Sequence, residues 1–379
     1  MLFDLLRQWW KPNLQSLNTI YVDAALLRKN YSYLQWLHPD NGIFPVVKSN
    51  AYWHWIAHVV KALTCFCPPY ICVDSFPEYQ IVKKYASSKV LVLWETFPDN
   101  YRYYNRNTTT FCVWSLHLLR YFIDAWKRVT LHLFLNTWMN REWMQRPQLR
   151  EAVRLLQNAP YITVEWVMSH FANADEVDRS FCDNQYEQFV AMGQYVEDHC
   201  GELLWKHIWN SASCLVDQYE YCTAWRSWLA LYWYSPFASV DDWAENALRP
   251  ALSVESTIIS IQDLEVWDWV SYGQTWSADS PVRVASLAFG YAEWLRRSLS
   301  DSGWLIQWHD QFFPLVGRVC MNLSTICVDT QSVRVWDRVT LFSADPHAPN
   351  SIAAYARAVG SIPYEVLVWF SPHVRRVLV

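Results

Sequence analysis

Glycine is scarce in this chain: eight residues in 379, where average usage of about 7% predicts roughly 26. The shortage removes the ordinary means of reaching positive φ, and the Gly-rich phosphate loops of nucleotide-binding folds are missing with it. No apolar run reaches the roughly 18 residues that span a bilayer, so no transmembrane segment is expected. There is no block of lysine or arginine and the formal charge is -5, which argues against nucleic acid or an anionic membrane as the main partner. Paired CxxC motifs and a Gly-x-Ser-x-Gly elbow are also absent, which sets aside zinc ribbons and α/β-hydrolase chemistry. Residues 1–11 carry Asp4 early and offer no small-residue cleavage site. They do not read as a secretory signal, and a cytoplasmic protein acting on a small polar substrate is expected.

What stands out instead is tryptophan, 25 residues, as though it replaced the missing glycine. The ten cysteines are scattered; Cys65, Cys67 and Cys72 lie close together without zinc-ligand spacing and read as reduced thiols. Eight short apolar or β-branched runs, at 44–48, 70–73, 89–94, 110–113, 130–135, 162–168, 203–207 and 226–231, are each followed by a stretch of helical periodicity. Eight strand-then-helix units predict an α/β fold, a (β/α)8 barrel of the TIM type over residues 12–242. Beyond a polar stretch the pattern changes to long alternating runs at 252–262, 282–289, 312–321, 325–330 and 338–342, with one helix near 351–359. These predict a mainly β carboxyl-terminal domain over residues 243–379, with the boundary near 242. The strand-like Tyr21-Val-Asp-Ala24 precedes the barrel count and is expected to pair with that second domain.

The segment Phe44-Pro-Val-Val-Lys-Ser-Asn-Ala-Tyr-Trp-His-Trp55 sets Lys48 at the carboxyl end of a short apolar strand, where chemistry collects in parallel α/β barrels. Lys48 is therefore a candidate nucleophile. His54 and His58 lie four apart on a probable helix but lack a third ligand nearby, and a metal site is not expected.

The lysine segment closely resembles the cofactor-lysine motif of alanine racemases, and the resemblance continues in order along nearly the whole chain. It implies covalent binding of pyridoxal 5'-phosphate by Lys48, with Tyr52 beside the phosphate. Ser169-His-Phe-Ala-Asn-Ala-Asp-Glu176 is similar to the family's histidine motif and implies His170 under the cofactor ring. His207-Ile-Trp-Asn-Ser211 resembles a phosphate-binding segment, implying roles for Asn210 and Ser211 and for His207 as the group orienting Arg226. In Trp225-Arg-Ser-Trp-Leu229 the resemblance places Arg226 at the pyridine nitrogen and the backbone amides of Trp228 and Leu229 at the phosphate. An arginine there stays protonated and makes the ring a weaker electron sink, which leaves proton exchange at Cα as the main path.

Racemisation needs an acid/base on each face of a planar carbanion. The resemblance assigns one role to Lys48 and the other to Tyr272, in Val270-Ser-Tyr-Gly-Gln-Thr-Trp276, supplied by the second subunit of a homodimer. It further implies that Arg141, Tyr291, Met321 and Asn322 shape the substrate site and that Tyr364 serves the phosphate. The function implied is interconversion of L- and D-alanine, which supplies D-alanine for peptidoglycan. Three departures are visible. Phe134 stands where the family has a lysine that supports Arg141, and Asn322 where it has aspartate. Tryptophan occupies the glycine positions 53, 55, 138, 143, 166, 228, 233, 267, 294, 336 and 369. The alternatives are a catalytically impaired cofactor-binding or structural dimer, and a decarboxylase of related design. The decarboxylase fits less well, because those enzymes usually place an acid where this chain has Arg226.

Overall fold

The computed structural model describes residues 15–125, 128–141, 143–216, 219–234, 248–328 and 331–379. Its contacts divide the chain into two units, Val22–Ala251 with Leu378–Val379, and the residues up to Tyr21 with Leu252–Val377. The boundary expected near 242 lies outside the described residues.

A first strand, β1 (Thr19–Val22), leads into the helix α1 (Ala24–Leu37). Asp23 caps that helix, its carboxylate accepting from the amides of Ala25 at 2.7 Å and Leu26 at 2.9 Å. Eight parallel strands follow: β2 (Gly42–Pro45), β3 (Tyr70–Val73), β4 (Lys89–Val92), β5 (Thr109–Val113), β6 (Val129–Phe134), β7 (Ile162–Met168), β8 (Trp205–His207) and β9 (Ala224–Ser227). β3 to β8 form one continuous ladder and β2 pairs with β9 from Gly42↔Ala224 to Pro45↔Ser227. The bridge Val46↔Cys72 joins β2 to β3, and the Thr223 amide donates to the Lys206 carbonyl at 2.9 Å to join β9 to β8. The ring is thereby closed. Its interior is filled by inward side chains, among them Phe44, Tyr70, Cys72, Leu91, Cys112, Trp166 and Met168.

The connecting helices are α2 (Ile56–Leu63), α3 (Phe76–Tyr85), α4 (Leu116–Ala125), α5 (Arg146–Gln157), α6 (Ser180–Cys200), α7 (Ser211–Val216) and α8 (Leu229–Tyr232). α5 shows why they coat the barrel: Leu149, Ala152, Val153 and Leu156 are buried at three- and four-residue spacing. After β4 the chain forms a 3-10 turn, Pro98–Tyr103, where a helix was expected. The last strand also lies earlier than the run 226–231, since Leu229–Tyr232 is helical; a short apolar run has no periodicity to separate strand from buried helix. His54 and His58 do not share a helix, because α2 begins at Ile56. His54 is buried, stacked on Tyr232 with ring centroids 4.4 Å apart.

The second unit continues with β10 (Leu252–Leu264), β11 (Trp269–Val270), β12 (Trp276–Ser277), β13 (Val282–Leu287), β14 (Leu305–Trp308), β15 (Gln311–Val316), β16 (Ser324–Val328), β17 (Arg338–Phe342) and β18 (Arg375–Leu378). The large sheet runs β13-β16-β15-β14-β17-β10-β1-β18, and β10 also pairs with β13, so six of the strands close into a ring. Thirteen residues and two register shifts, at Val254/Glu255 and Ile258/Ser260, let β10 bend enough to serve both neighbours. β1 joins this sheet, as the strand-like Tyr21-Val-Asp-Ala24 suggested. Two helices, α9 (Ile352–Ala358) and α10 (Pro363–Trp369), precede β18. Among the described residues no helix is long and apolar enough to cross a membrane.

Candidate active site

Past β2 the chain does not enter an ordinary helix. Ser49, Asn50, Ala51, Tyr52 and Trp53 have φ of 53°, 55°, 58°, 49° and 62°, one full turn of left-handed backbone. Such a turn costs roughly 1–2 kcal/mol per residue and persists only where its surroundings hold it. Glu78 of α3 does much of the holding. Its carboxyl oxygens accept from the Asn50 amide at 2.9 Å and the Asp74 amide at 3.1 Å, and the Asn50 side chain accepts from the Ile56 amide at 2.9 Å. Burial pushes the Glu78 carboxyl up to about 7, against the lowering effect of the amide bonds.

Lys48 stands at the head of this turn, with its amine over the Trp94 ring, 5.6 Å from the centroid. Burial lowers its basicity, with the cations of Arg141 and Arg226 adding to the effect and Asp74 opposing it. A larger share of free amine, the nucleophilic form, is the consequence.

Lys48, Tyr52, Arg141, His170, Arg226 and Trp228 line one cavity of about 150 Å³, with Trp94 and Phe134 on its wall. Three cationic side chains and no carboxylate among these residues make it a site for an anion. Arg226 is buried on β9: its Nε donates to His207 Nδ1 at 2.8 Å and one terminal nitrogen donates to the Ser169 carbonyl. That terminal nitrogen also lies 3.4 Å from His170 Nδ1. To accept from a guanidinium, His207 must be neutral at Nδ1. Burial, reinforced by Arg226, holds His207 and His170 well below the usual histidine range.

The turn after β9 presents three amides to one oxygen. Ser211 Oγ accepts from Trp228 at 3.2 Å, Leu229 at 2.8 Å and Ala230 at 3.2 Å. Such convergence of N–H groups is the chemistry of a phosphate cradle. Asn210 caps α7 with its carboxamide, which accepts from the Ala212 and Ser213 amides, both at 3.1 Å. Phe134, in place of a supporting lysine, stacks on Trp143 with centroids 4.4 Å apart, and the Arg141 guanidinium lies 5.1 Å from that second ring. Arg141 therefore rests on ring faces.

The remaining expected site residues belong to the second unit. Tyr272 sits on a 3-10 turn, Tyr272–Gln274, and is 71% exposed. The preceding Ser271 hydroxyl donates to the Arg318 carbonyl at 2.7 Å, so this turn is tied to the loop carrying Met321 and Asn322. The Tyr291 amide donates to the Cys320 carbonyl at 3.0 Å, which brings Tyr291 to the same loop. Asn322 donates its amide to Glu293 at 2.8 Å; an aspartate there would face that carboxylate with like charge. Tyr364 stands apart on α10, half-buried. Glu78 and Trp94 escaped the sequence reading, because an acid on an amphipathic helix and an aromatic after a strand carry no local signal of what they touch.

The matches to known proteins follow this division. Residues 22–236 match the alanine racemase N-terminal domain and residues 251–378 the alanine racemase C-terminal domain. The chain belongs to the alanine racemase family. It is 30% identical over 371 residues to the alanine racemase of Geobacter sulfurreducens, covering 94% of this chain and 95% of that one. With the Staphylococcus carnosus alanine racemase it shares 28% over 364 residues, 94% and 93% of the two chains. Among solved structures, the alanine racemase from Bacillus anthracis with bound L-Ala-P aligns at a TM-score of 0.87 and 26% identity, covering 97% of this chain and 96% of that one. The biosynthetic alanine racemase from Pseudomonas aeruginosa aligns at 0.83 and 27%, covering 96% and 100%. The likeness to racemases over both units does not favour a decarboxylase.

The histidines of this racemase-family barrel give a pH signature. His132, His170 and His207 are all depressed, chiefly by burial, so unfolding at a pH below the ordinary 6.5 takes up protons. Stability from these groups is present above 6.5 and is lost as pH falls. Glu78 runs the other way: raised to about 7 from 4.5, it favours the fold at low pH and loses that contribution as pH rises between the two values. His38 is lowered by burial like these three, and Glu95 is raised by burial like Glu78; four imidazoles outweigh two carboxyls, so the urea midpoint is expected to fall from pH 7 to pH 5, with net proton uptake on unfolding. A midpoint that rises over that interval would show that the carboxyls dominate.

Proposed function

We propose that this member of the family is a homodimeric, cytoplasmic, pyridoxal 5'-phosphate-dependent enzyme that interconverts L- and D-alanine by a two-base mechanism. The observation that carries the reading is the convergence of a weakened amine, Lys48, with three amides on one oxygen and an arginine anchored by a neutral histidine. This donor set suits the cofactor: an amine for its aldehyde, amides for its phosphate, and a fixed guanidinium for its ring nitrogen. When bound, pyridoxal 5'-phosphate supplies the electron-withdrawing system that makes the amino acid's Cα–H acidic.

The protein's own share is binding, orientation and proton transfer. Ser211 and the Trp228 and Leu229 amides would hold the phosphate end, with Tyr52 as a further hydroxyl donor. Arg226 cannot give up its proton, so it orients without acting as an acid, and His207 and Ser169 keep it in place. His170 would back the cofactor ring, and Arg141 would meet the substrate carboxylate. The Lys48 amine takes or returns the Cα proton on one face, and Tyr272 of the partner subunit does so on the other. The exposure of Tyr272 supports its use across a subunit boundary. Met321, Asn322 and Tyr291 shape the entrance beside it.

Two bases of different identity make the faces unequal. Tyr272→Phe is expected to slow deuterium exchange at Cα by about 10²-fold or more starting from one enantiomer, and far less from the other. Exchange measured separately on L- and D-alanine in heavy water tests this, and equal losses would remove the two-base assignment.

A further inference from the structure

Seventeen non-glycine residues of the described chain have positive φ, and seven of them are tryptophan: Trp53, Trp55, Trp138, Trp233, Trp267, Trp294 and Trp336. A left-handed conformation is rare for any residue with a Cβ and an outlier for a bulky one. The chain carries its own control. Among the described residues its Phe and Tyr together supply one such residue, Tyr52, although the chain has 17 Phe and 22 Tyr against 25 Trp. The signal is specific to tryptophan.

The positions are those where glycine does its ordinary work. Trp53 closes the left-handed turn after Lys48, and Trp233 is the left-handed cap of α8, where a glycine commonly ends a helix. Trp294 sits in a tight turn whose own amide donates back to the Tyr291 carbonyl at 3.2 Å. Packing does not explain the residue type, since Trp267 is 78% exposed and Trp336 70%. Elsewhere the indoles are crowded or unsatisfied. The ring centroids of Trp225 lie 3.4 Å from His38 and 3.5 Å from Trp209, against the roughly 4.5–7 Å usual for aromatic pairs. The buried indole nitrogens of Trp143, Trp166, Trp209, Trp225 and Trp304 have no hydrogen-bond acceptor among the described residues. A tryptophan selected for its side chain would show the opposite: negative φ, ordinary spacing and a partner for its N–H.

We infer that at these seven positions the chain made in its own cell carries glycine, because one codon written here as tryptophan is decoded there as glycine. UGA fits this role: it differs from the tryptophan codon UGG in its third base and from the glycine codon GGA in its first. A single base change in a glycine tRNA anticodon would produce the reading. With eight glycines and 25 tryptophans in the chain, the exchange also reduces the shortage and the excess together. The same codon at Trp228 would remove an indole from the wall of a cavity that, at about 150 Å³, is below the roughly 300 Å³ at which ligand pockets usually begin. The inference rests on backbone conformation and composition and stands whether or not the racemase assignment holds.

Peptide mass spectrometry of the protein purified from its own cells decides it. Trypsin releases residues 49–61, which contain positions 53 and 55, residues 129–141, which contain 138, and residues 284–296, which contain 294 with Gly290 as an internal reference. Fragment masses reading glycine at 53, 55, 138 and 294 are expected. Tryptophan at those positions would overturn the inference, and so would UGG codons there in the gene. The readout is independent of cofactor and activity.

Discussion

Lys48→Ala is expected to abolish racemisation of alanine, by about 10⁴-fold or more, while leaving the fold intact. The magnitude follows from losing two roles at once. The side chain is the nucleophile that the resemblance assigns to the cofactor, and it is also the proposed base on one face of Cα, a contribution of about 10² to 10⁴ by itself. The site has no substitute. Arg141 and Arg226 are the other cations on the cavity wall, and neither can act as a free amine. The backbone turn behind Lys48 is held by Glu78 and Asn50, whose bonds do not involve the lysine side chain, so the variant should keep the midpoint of the parent. Borohydride reduction after incubation with pyridoxal 5'-phosphate should label the parent at Lys48 and leave the variant unlabelled, with turnover followed by chiral separation of alanine. Retained turnover, or labelling of the parent at another lysine, would remove Lys48 from its role.

The second large effect concerns stability. Two chains made in the same host are compared, one with tryptophan and one with glycine at positions 53, 55, 138, 233, 267, 294 and 336. A left-handed residue with a Cβ costs roughly 1–2 kcal/mol, so seven sites amount to roughly 7–14 kcal/mol. Most of the seven are far apart in sequence and belong to different turns, which favours additivity, with Trp53 and Trp55 the closest pair. Native stability is typically only about 5–15 kcal/mol. The glycine chain is therefore expected to melt at least about 10 °C higher, and the tryptophan chain to accumulate largely as aggregate. Melting temperatures within a degree or two of each other would mean that these tryptophans adopt their backbone without strain.

Much of this was legible before any coordinates. The barrel strands announced themselves as short, wholly apolar or β-branched runs, because strands buried on both faces need nothing else. The strands at 252, 282 and 338 showed the alternation of a half-solvated sheet. Lys48 could be singled out because it follows such a run, and the residues expected around it, His170, Arg226 and Arg141, do meet it at one cavity. The tryptophan positions also carried their message early. Every one of the seven left-handed tryptophans was among the eleven glycine positions given by family resemblance, and φ singles out those seven.

Other features required the folded chain. β14, the β11–β12 pair and α10 were missed because pieces of four, two and seven residues hold too few residues to establish a period. The position of β9 was read too late, since Leu229–Tyr232 is as apolar as a strand and only hydrogen bonding tells the two apart. His54 looked like one of a helical pair until α2 began two residues after it.

The sequence by itself determined the fold class, the order of the barrel strands and the lysine proposed as the reactive residue, since these depend on local periodicity and on which side chain follows a strand. Tertiary structure decided how that residue is made reactive. Burial beside two arginines lowers Lys48, a carboxyl from α3 holds the left-handed turn behind it, and a neutral histidine from β8 fixes Arg226. Those effects come from groups 19 to 178 positions distant along the chain, and charge and burial act through space, so no local pattern could have displayed them.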